Sequence, residues 1–345
     1  MGKIATSIDE QIDLLESRGM LLGDREKTKE YLLDIGYYRL GFYWHYFESD
    51  AQHNFVENTK LETIRKLYYF DFDLKYLLSK YIYRIEVHFR TQLVYLVSNK
   101  YKDTPTWFID KKVVSEDMIK FIDKLYNGNE EAFKRNNKPI KNHHAKYIND
   151  KYAPAWKTLE FFTFGQINKL FRSLKDDNLK REIAKSYGYL DVASFQNHIT
   201  AIVNIRNICS HNGILFDHNQ PMGVKKIPNE LYRIKSRNQT NLNASICVIF
   251  NILSNISNNR VNDLKIQLDE LITENKAIPE LREIIETKIG YEIIECYICK
   301  TVPLYTYAIK QHFKTRKIDT RYFCVGYLYF NASYLFALKK CIFIM

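Results

Sequence analysis

Apolar residues recur along this chain in steps of three and four. The longest run is Leu61 to Tyr101. There Leu61, Ile64, Leu67, Phe70, Leu74, Leu77, Leu78, Tyr81, Ile85, Phe89 and Leu93 hold one stripe, and no Pro or Gly intervenes. This spacing predicts one long amphipathic helix, or two in line. A shorter stripe (Ile8, Ile12, Leu14, Leu15) predicts a helix over 8–20. Asp24 is suited to cap a second helix running to about residue 35, with Gly36 as its stop. Further helices fit near 115–127, over 155–163, 165–175 and 177–187, and from Asp191 or Ser194 to about His211. The remaining helices fit 240–257, 260–275 and 279–289. No stretch sustains the period of two that a half-buried strand needs, and no internal repeat is found. Two segments depart from the pattern. The aromatic run YYRLGFYWHYF at 37–47 contains Gly41, read as a break. Residues 134–154 are basic, Asn-rich and poor in aliphatics, and read as a surface loop.

Composition agrees with an all-α chain. Of 345 residues, 46% are hydrophobic and 26% charged, the balance of a folded globular protein. Gly (12) and Pro (7) stand at about half their usual shares of roughly 7% and 5%. That is too few for the frequent turns of a β-sandwich or barrel. The character changes near residue 290, dividing the chain into a helical region, 1–290, read as one domain or two tightly packed subdomains, and an aromatic, basic tail, 291–345. The net charge is +11. Between 296 and 345 eight basic residues face one acid, which leaves only +4 on residues 1–295. Global charge is therefore weak support for a polyanionic partner.

The N-terminal segment has no apolar signal-peptide core, and the six cysteines are sparse, so a reducing cytoplasm is expected. Tyr322 to Leu338 is apolar, but it has 17 residues with Asn331 and Ser333 inside it, and membrane insertion is not expected. Cys296 and Cys299 form a C-x2-C pair without a clean second pair, so no zinc site, metal or other cofactor is assigned.

The chemically informative stretch is 203–216, VNIRNICSHNGILF. Asn207 and His211 lie four apart on one helix face, and Arg206 is one step round. Arg206 offers a permanently charged fork to phosphate oxygens. His211 titrates near neutrality and can move a proton on or off a ribose oxygen. Asn207 can fix the imidazole or bind the phosphate. Such a set suits phosphodiester cleavage in RNA, whose 2′-OH is a built-in nucleophile. On spacing alone, an arginine paired with a carboxylate and a histidine at a helix C-terminus explain the same residues structurally.

The RNICSH stretch resembles the R-x4–6-H motif of HEPN (higher eukaryotes and prokaryotes nucleotide-binding) domains, all-α modules of which many are metal-independent ribonucleases. Three further segments resemble bacterial abortive-infection proteins of the AbiD/AbiF type: LLDIGYYRLGFYWHYF at 32–47, RIEVHFRTQLVYLVSNKY at 84–101 and PAWKTLEFFTFGQINKLFRSL at 154–174. Together they cover roughly residues 5–290. The resemblance implies a HEPN-like helical bundle with additional helices, and a phage-defence effector that cleaves RNA with Arg206, Asn207 and His211. It also implies a homodimer with a composite site, and a small regulatory noncoding RNA as a possible further partner. Two departures stand out. His45 replaces a usual aromatic, making Arg39 and His45 a second R-x5-H, for which a structural role is expected. The tail after about 290 extends past the usual end.

Glu86 and Arg90 are candidate supports for the pocket, Glu86 to orient His211 and Arg90 to bind phosphate. The same spacing also describes a surface ion pair worth about 0.3–0.5 kcal/mol. Glu160 is a weaker candidate, whereas Trp156 and Phe164 read as packing and Gly165 as a turn. Lys134, Arg135, Lys138, Lys141 and Lys146, with His143 and His144, are candidates for contact with an RNA backbone. The alternative to a nuclease is a non-catalytic RNA-binding or protein-interaction module on the same scaffold.

Overall fold

A computed structural model describes residues 4–211, 213–234 and 237–291. The tail and its cysteine pair lie outside the described residues. Among the described residues there are fourteen α-helices and, in place of strands, three isolated bridges. In chain order the helices are α1 (Ile8–Ser17), α2 (Arg25–Asp34), α3 (Tyr37–Trp44), α4 (Leu61–Lys100), α5 (Glu116–Asn127), α6 (Ala132–Asn136) and α7 (Lys138–Lys146). They continue with α8 (Ala155–Thr158), α9 (Phe164–Ser173), α10 (Asp177–Lys185), α11 (Val192–Ser210), α12 (Leu242–Ser254), α13 (Asn258–Lys276) and α14 (Pro279–Ile289). The protein is all-α, as its composition and periodicity predict.

The long stripe forms a single 40-residue helix, α4, about 60 Å from end to end. It is the axle of the unit. Helices α3, α9, α10, α11, α12, α13 and α14 all pack on it. Phe89 of α4 sits in an aromatic core with Phe164, Phe171, Tyr187 and Phe195, ring centroids 5.6–6.3 Å away. Helix α12 is buried along nearly its whole length, as expected of a helix apolar on all sides.

Helix starts follow side-chain chemistry. Ser7 and Glu10 form a capping box on α1, and Thr163 and Gln166 form one on α9. Asp191 caps α11 by accepting the Ala193 and Ser194 amides at 3.0 and 2.9 Å.

Two expectations are corrected. Gly41 does not break the aromatic run: residues 37–44 are the continuous helix α3. The break comes earlier, at Gly36, whose φ of +95° ends one helix and starts the next. Of the segment 134–154, only 147–154 is a loop; the residues before it belong to the two short helices α6 and α7. Pro139 sits in the first turn of α7, where its missing N–H costs nothing, and Ile140 and His143 face inward three residues apart.

Helix α11 is anchored by a buried histidine. His198 donates through Nε2 to the Lys225 carbonyl at 2.9 Å and accepts through Nδ1 from the Tyr189 hydroxyl at 2.6 Å. Tyr189 in turn accepts from Asn251 at 2.7 Å. Burial pushes His198 down to about 4. Between its unfolded value near 6.5 and that value, only the unfolded chain takes the proton, so folded stability falls as pH drops through this window. A loss of roughly 3 kcal/mol is expected between pH 7 and pH 4 from this group alone. Urea unfolding across that range checks it. A His198→Gln variant, destabilised at pH 7, will lose correspondingly less on acidification.

Candidate nuclease site

The site is built where α11 ends against α4. Arg206, Asn207 and the carbonyls that close the helix belong to the last turns of α11, and His211 is its C-terminal cap. The His211 amide donates to the Asn207 carbonyl at 3.0 Å, so the imidazole starts from a fixed backbone position. Its side chain is exposed.

Arg206 is one-third exposed, and its Nε lies 3.7 Å from Glu86 Oε2. Its Nη1 faces Asn207 Oδ1 at 3.5 Å. Glu86 is buried and also accepts from Arg90 Nη2 at 2.8 Å. Arg90 Nη2 donates in addition to the Phe162 carbonyl at 2.8 Å, and Arg90 Nη1 lies 3.8 Å from Glu160. The result is a chain of alternating charge: Arg206, Glu86, Arg90, Glu160.

Glu86 and Arg90 are thus a buried pair with a specific roof, not a surface ion pair. Glu86 lies between Arg206 and Arg90, and Arg90 donates to Glu86 and to the Phe162 carbonyl while its buried Nε has no hydrogen-bond partner among the described residues. Of the packing candidates, Phe164 is fully buried, but Trp156 is 55% exposed. Gly165 is not in a turn but in the first turn of α9, where an added Cβ would sit 3.7 Å from Val203 of α11.

The basic segment is linked to this chain by one aromatic contact. Phe133 of α6 meets Phe162 edge-on at 5.9 Å. Lys138, Lys141 and Lys146 are exposed, whereas Lys134 and Arg135 are engaged by Glu131 and Glu130 at 2.6 and 3.7 Å. His143 is buried, with Nε2 2.9 Å from Asp150, and His144 bonds the Tyr126 hydroxyl at 2.7 Å, so both serve packing. Arg39 lies over Phe42 and the His45 ring packs on Tyr46, as a structural reading of that cluster expects.

Sequence reasoning missed the group that fixes the far side of the site. Asp71 of α4 is fully buried. It accepts the Leu215 and Phe216 amides at 2.9 Å each, the Tyr43 hydroxyl at 2.8 Å and the Lys75 ammonium at 2.6 Å. The chain leaving His211 is pinned by this carboxylate. Between the two anchors, Cys209 faces Ser79 and Lys75, and burial raises its thiol to about 11. It is protonated at neutral pH and is no nucleophile. The available signal was an Asp and a Lys four apart on the buried side of an apolar stripe.

Residues 30–217, more than half of the chain, match the family model described as Abi-like protein. The chain belongs to the Abi-like family. The match spans α3, α4 and α11 and ends just beyond His211, so every element of the candidate nuclease site lies within the family region of this Abi-like protein. Family membership makes it an abortive-infection protein. No curated protein and no solved structure matches the chain. No helix among the described residues is long and apolar enough to cross a membrane.

Proposed function

We propose that this Abi-like protein serves phage defence as a metal-independent endoribonuclease of the HEPN type. The observation that carries the reading is Arg206. Glu86 takes its Nε, Asn207 faces Nη1, and the remaining N–H groups are left for a phosphate beside the exposed His211.

In the proposed reaction His211 removes the proton from the ribose 2′-OH. The 2′ oxygen attacks phosphorus as the bond to the 5′ oxygen breaks, and that oxygen takes up a proton. The products are a 2′,3′-cyclic phosphate and a 5′-OH. Arg206 faces the charge that develops on the phosphoryl oxygens, and a cation held in place by Glu86 needs little reorganisation to meet it. Asn207 keeps the guanidinium aligned. The exposed lysines of α7 supply salt-dependent contacts to the RNA backbone.

Induced expression tests this. Wild type is expected to arrest growth and to leave RNA with new 5′-OH ends. Purified Arg206→Ala and His211→Ala should cut at least ~10²-fold more slowly, the scale of a lost general base or charge stabiliser. Cleavage should persist in EDTA. Variants that cleave like wild type would overturn the reading. RNA binding without cut ends, in wild type as in the variants, would instead identify a binding module.

A further inference from the structure

Of the three tryptophans, two are buried and partnered. Trp44 packs on Tyr37 and Phe55, and Trp107 donates its Nε1–H to the Ser98 hydroxyl at 2.9 Å. Trp156 is 55% exposed, and its indole has no ring, cation or hydrogen-bond partner among the described residues. Its backbone is fixed nonetheless. The Ala155 amide donates to the Pro105 carbonyl at 2.8 Å, and the Thr158 hydroxyl donates to the Ala153 carbonyl at 2.8 Å. Ala155, Thr158 and Leu159 are fully buried on the inner side of the same turn. A flat ring held this way is positioned before any partner arrives, so stacking on it costs little entropy.

Glu160 stands beside it. Helix α8 and the 3-10 turn Leu159–Phe161 follow one helical path, so residues 156 and 160 share its outer side, about 6 Å apart at Cβ. The Glu160 side chain is 64% exposed, with Arg90 Nη1 at 3.8 Å, and its oxygens accept no hydrogen bond among the described residues. Arg90 lies one turn of α4 from Glu86, which faces Arg206, so Trp156 and Glu160 flank the place proposed for the scissile phosphate. Helix α8 also packs on α7, whose Lys138, Lys141 and Lys146 are exposed. Trp156 thus stands on the element that joins the cations of α7 to Arg206. A nucleic-acid strand spanning these cations brings its bases to the indole. Its phosphates are repelled by Glu160, so the group that meets this carboxylate is the edge of a base.

We propose that Trp156 and Glu160 form a base subsite that takes an unpaired guanine of the RNA substrate. The subsite rests on the ribonuclease reading for the identity of its ligand as RNA. The indole stacks on the base, and the two carboxylate oxygens accept the N1–H and N2–H of its Watson–Crick edge. A carboxylate is acceptor-only, so it selects an edge made of donors. Guanine is the one base of the four with two adjacent donors there. Adenine and cytosine set one amino donor beside a ring acceptor, and uracil sets its single donor between two acceptors. Each of these turns a lone pair toward Glu160, so each is bound less tightly.

Fluorescence anisotropy with the full chain tests the subsite. The probes are labelled 2′-O-methyl uridine hexamers carrying one guanine, one inosine, one adenine or no purine. The methyl group removes the nucleophile, so binding is read without cleavage. Wild type binds the guanine hexamer at least ~10-fold more tightly than the adenine or all-uridine hexamer, with inosine, which lacks the N2 amine, in between. Trp156→Ala weakens the guanine hexamer about 10-fold, and Trp156→Phe much less. Glu160→Gln sets an amide donor against a base donor, so it removes the guanine preference while the all-uridine hexamer binds at least as tightly as before. Both side chains are exposed, and circular dichroism confirms that the variants fold. Equal binding of all hexamers by wild type, or a guanine preference indifferent to both residues, overturns the proposal. A uniform loss in Trp156→Ala with no effect of Glu160→Gln also overturns it, because the ring then stacks without reading the base. A wild type that binds no hexamer overturns it and leaves the indole to a protein partner. A Glu160-dependent guanine preference in a protein whose His211→Ala variant cleaves like wild type keeps the subsite and removes the ribonuclease reading. Loss of cleavage in His211→Ala without any base preference does the reverse.

Discussion

Asp71→Ala is expected to lower the unfolding free energy by about 4 kcal/mol or more. The carboxylate is fully buried and has four partners: the amides of Leu215 and Phe216, the Tyr43 hydroxyl and the Lys75 ammonium. Alanine leaves two buried amides without an acceptor, each costing about 1–3 kcal/mol, and leaves a lysine buried without a counter-ion. These losses share one site and do not add fully. Asp71→Asn separates them. The amide oxygen can still receive Leu215 and Phe216, but the charge opposite Lys75 is gone, so a smaller loss of about 3 kcal/mol is expected. Urea unfolding of wild type and both variants measures this. A loss under about 1 kcal/mol for Asp71→Ala would show that the carboxylate is not the hub its contacts describe.

Glu86→Ala is expected to cost about 3–5 kcal/mol, the penalty for breaking a buried pair from one side. Arg90 would retain only the Phe162 carbonyl at 2.8 Å and the distant Glu160 at 3.8 Å. Glu86→Gln can still accept from Arg90 but no longer separates two guanidinium groups, so Arg206 will lose its position more than the fold loses stability. Because paired charges can be replaced by well-packed apolar groups, Glu86→Leu/Arg90→Leu should recover much of the single-variant loss. Denaturant midpoints of the two single variants and the double variant form a cycle that isolates the pair. Additive losses would mean that the two residues do not act together.

The helical architecture was largely legible in the residues. The stripe from Leu61 to Leu93 needs no tertiary context to read as a helix, and the structure makes it one continuous element. Asp24 and Asp191 cap helices where their side chains allow it. The aromatic run at 37–47 misled because large rings stand on both the buried and the exposed side of α3, and one glycine within a helix lowers its stability without breaking it. At Gly41 an added Cβ would make only ordinary contact with the Trp44 ring, 3.5 Å away. The basic segment misled because its buried face consists of only Ile140 and His143. In the site, Arg206, Asn207 and His211 follow from spacing along one helix. What covers Glu86 and Arg90 does not, because the roof is a carbonyl 72 residues away. Asp71 was hidden for the same reason: its partners come from residues 28 and 144 positions distant.

That last separation also sets a clock. Asp71 is synthesised 144 residues before Leu215, whose amide it must receive. At about 5–20 residues per second, the ribosome needs roughly 7–30 s to deliver the second half of this contact. For most of that interval α4 and Glu86 are complete, and Arg206 and His211 follow only shortly before Leu215. The contacts of Glu86 with Arg206 and of Asp71 with Leu215 therefore both wait for α11 and the segment after it, and form late in synthesis.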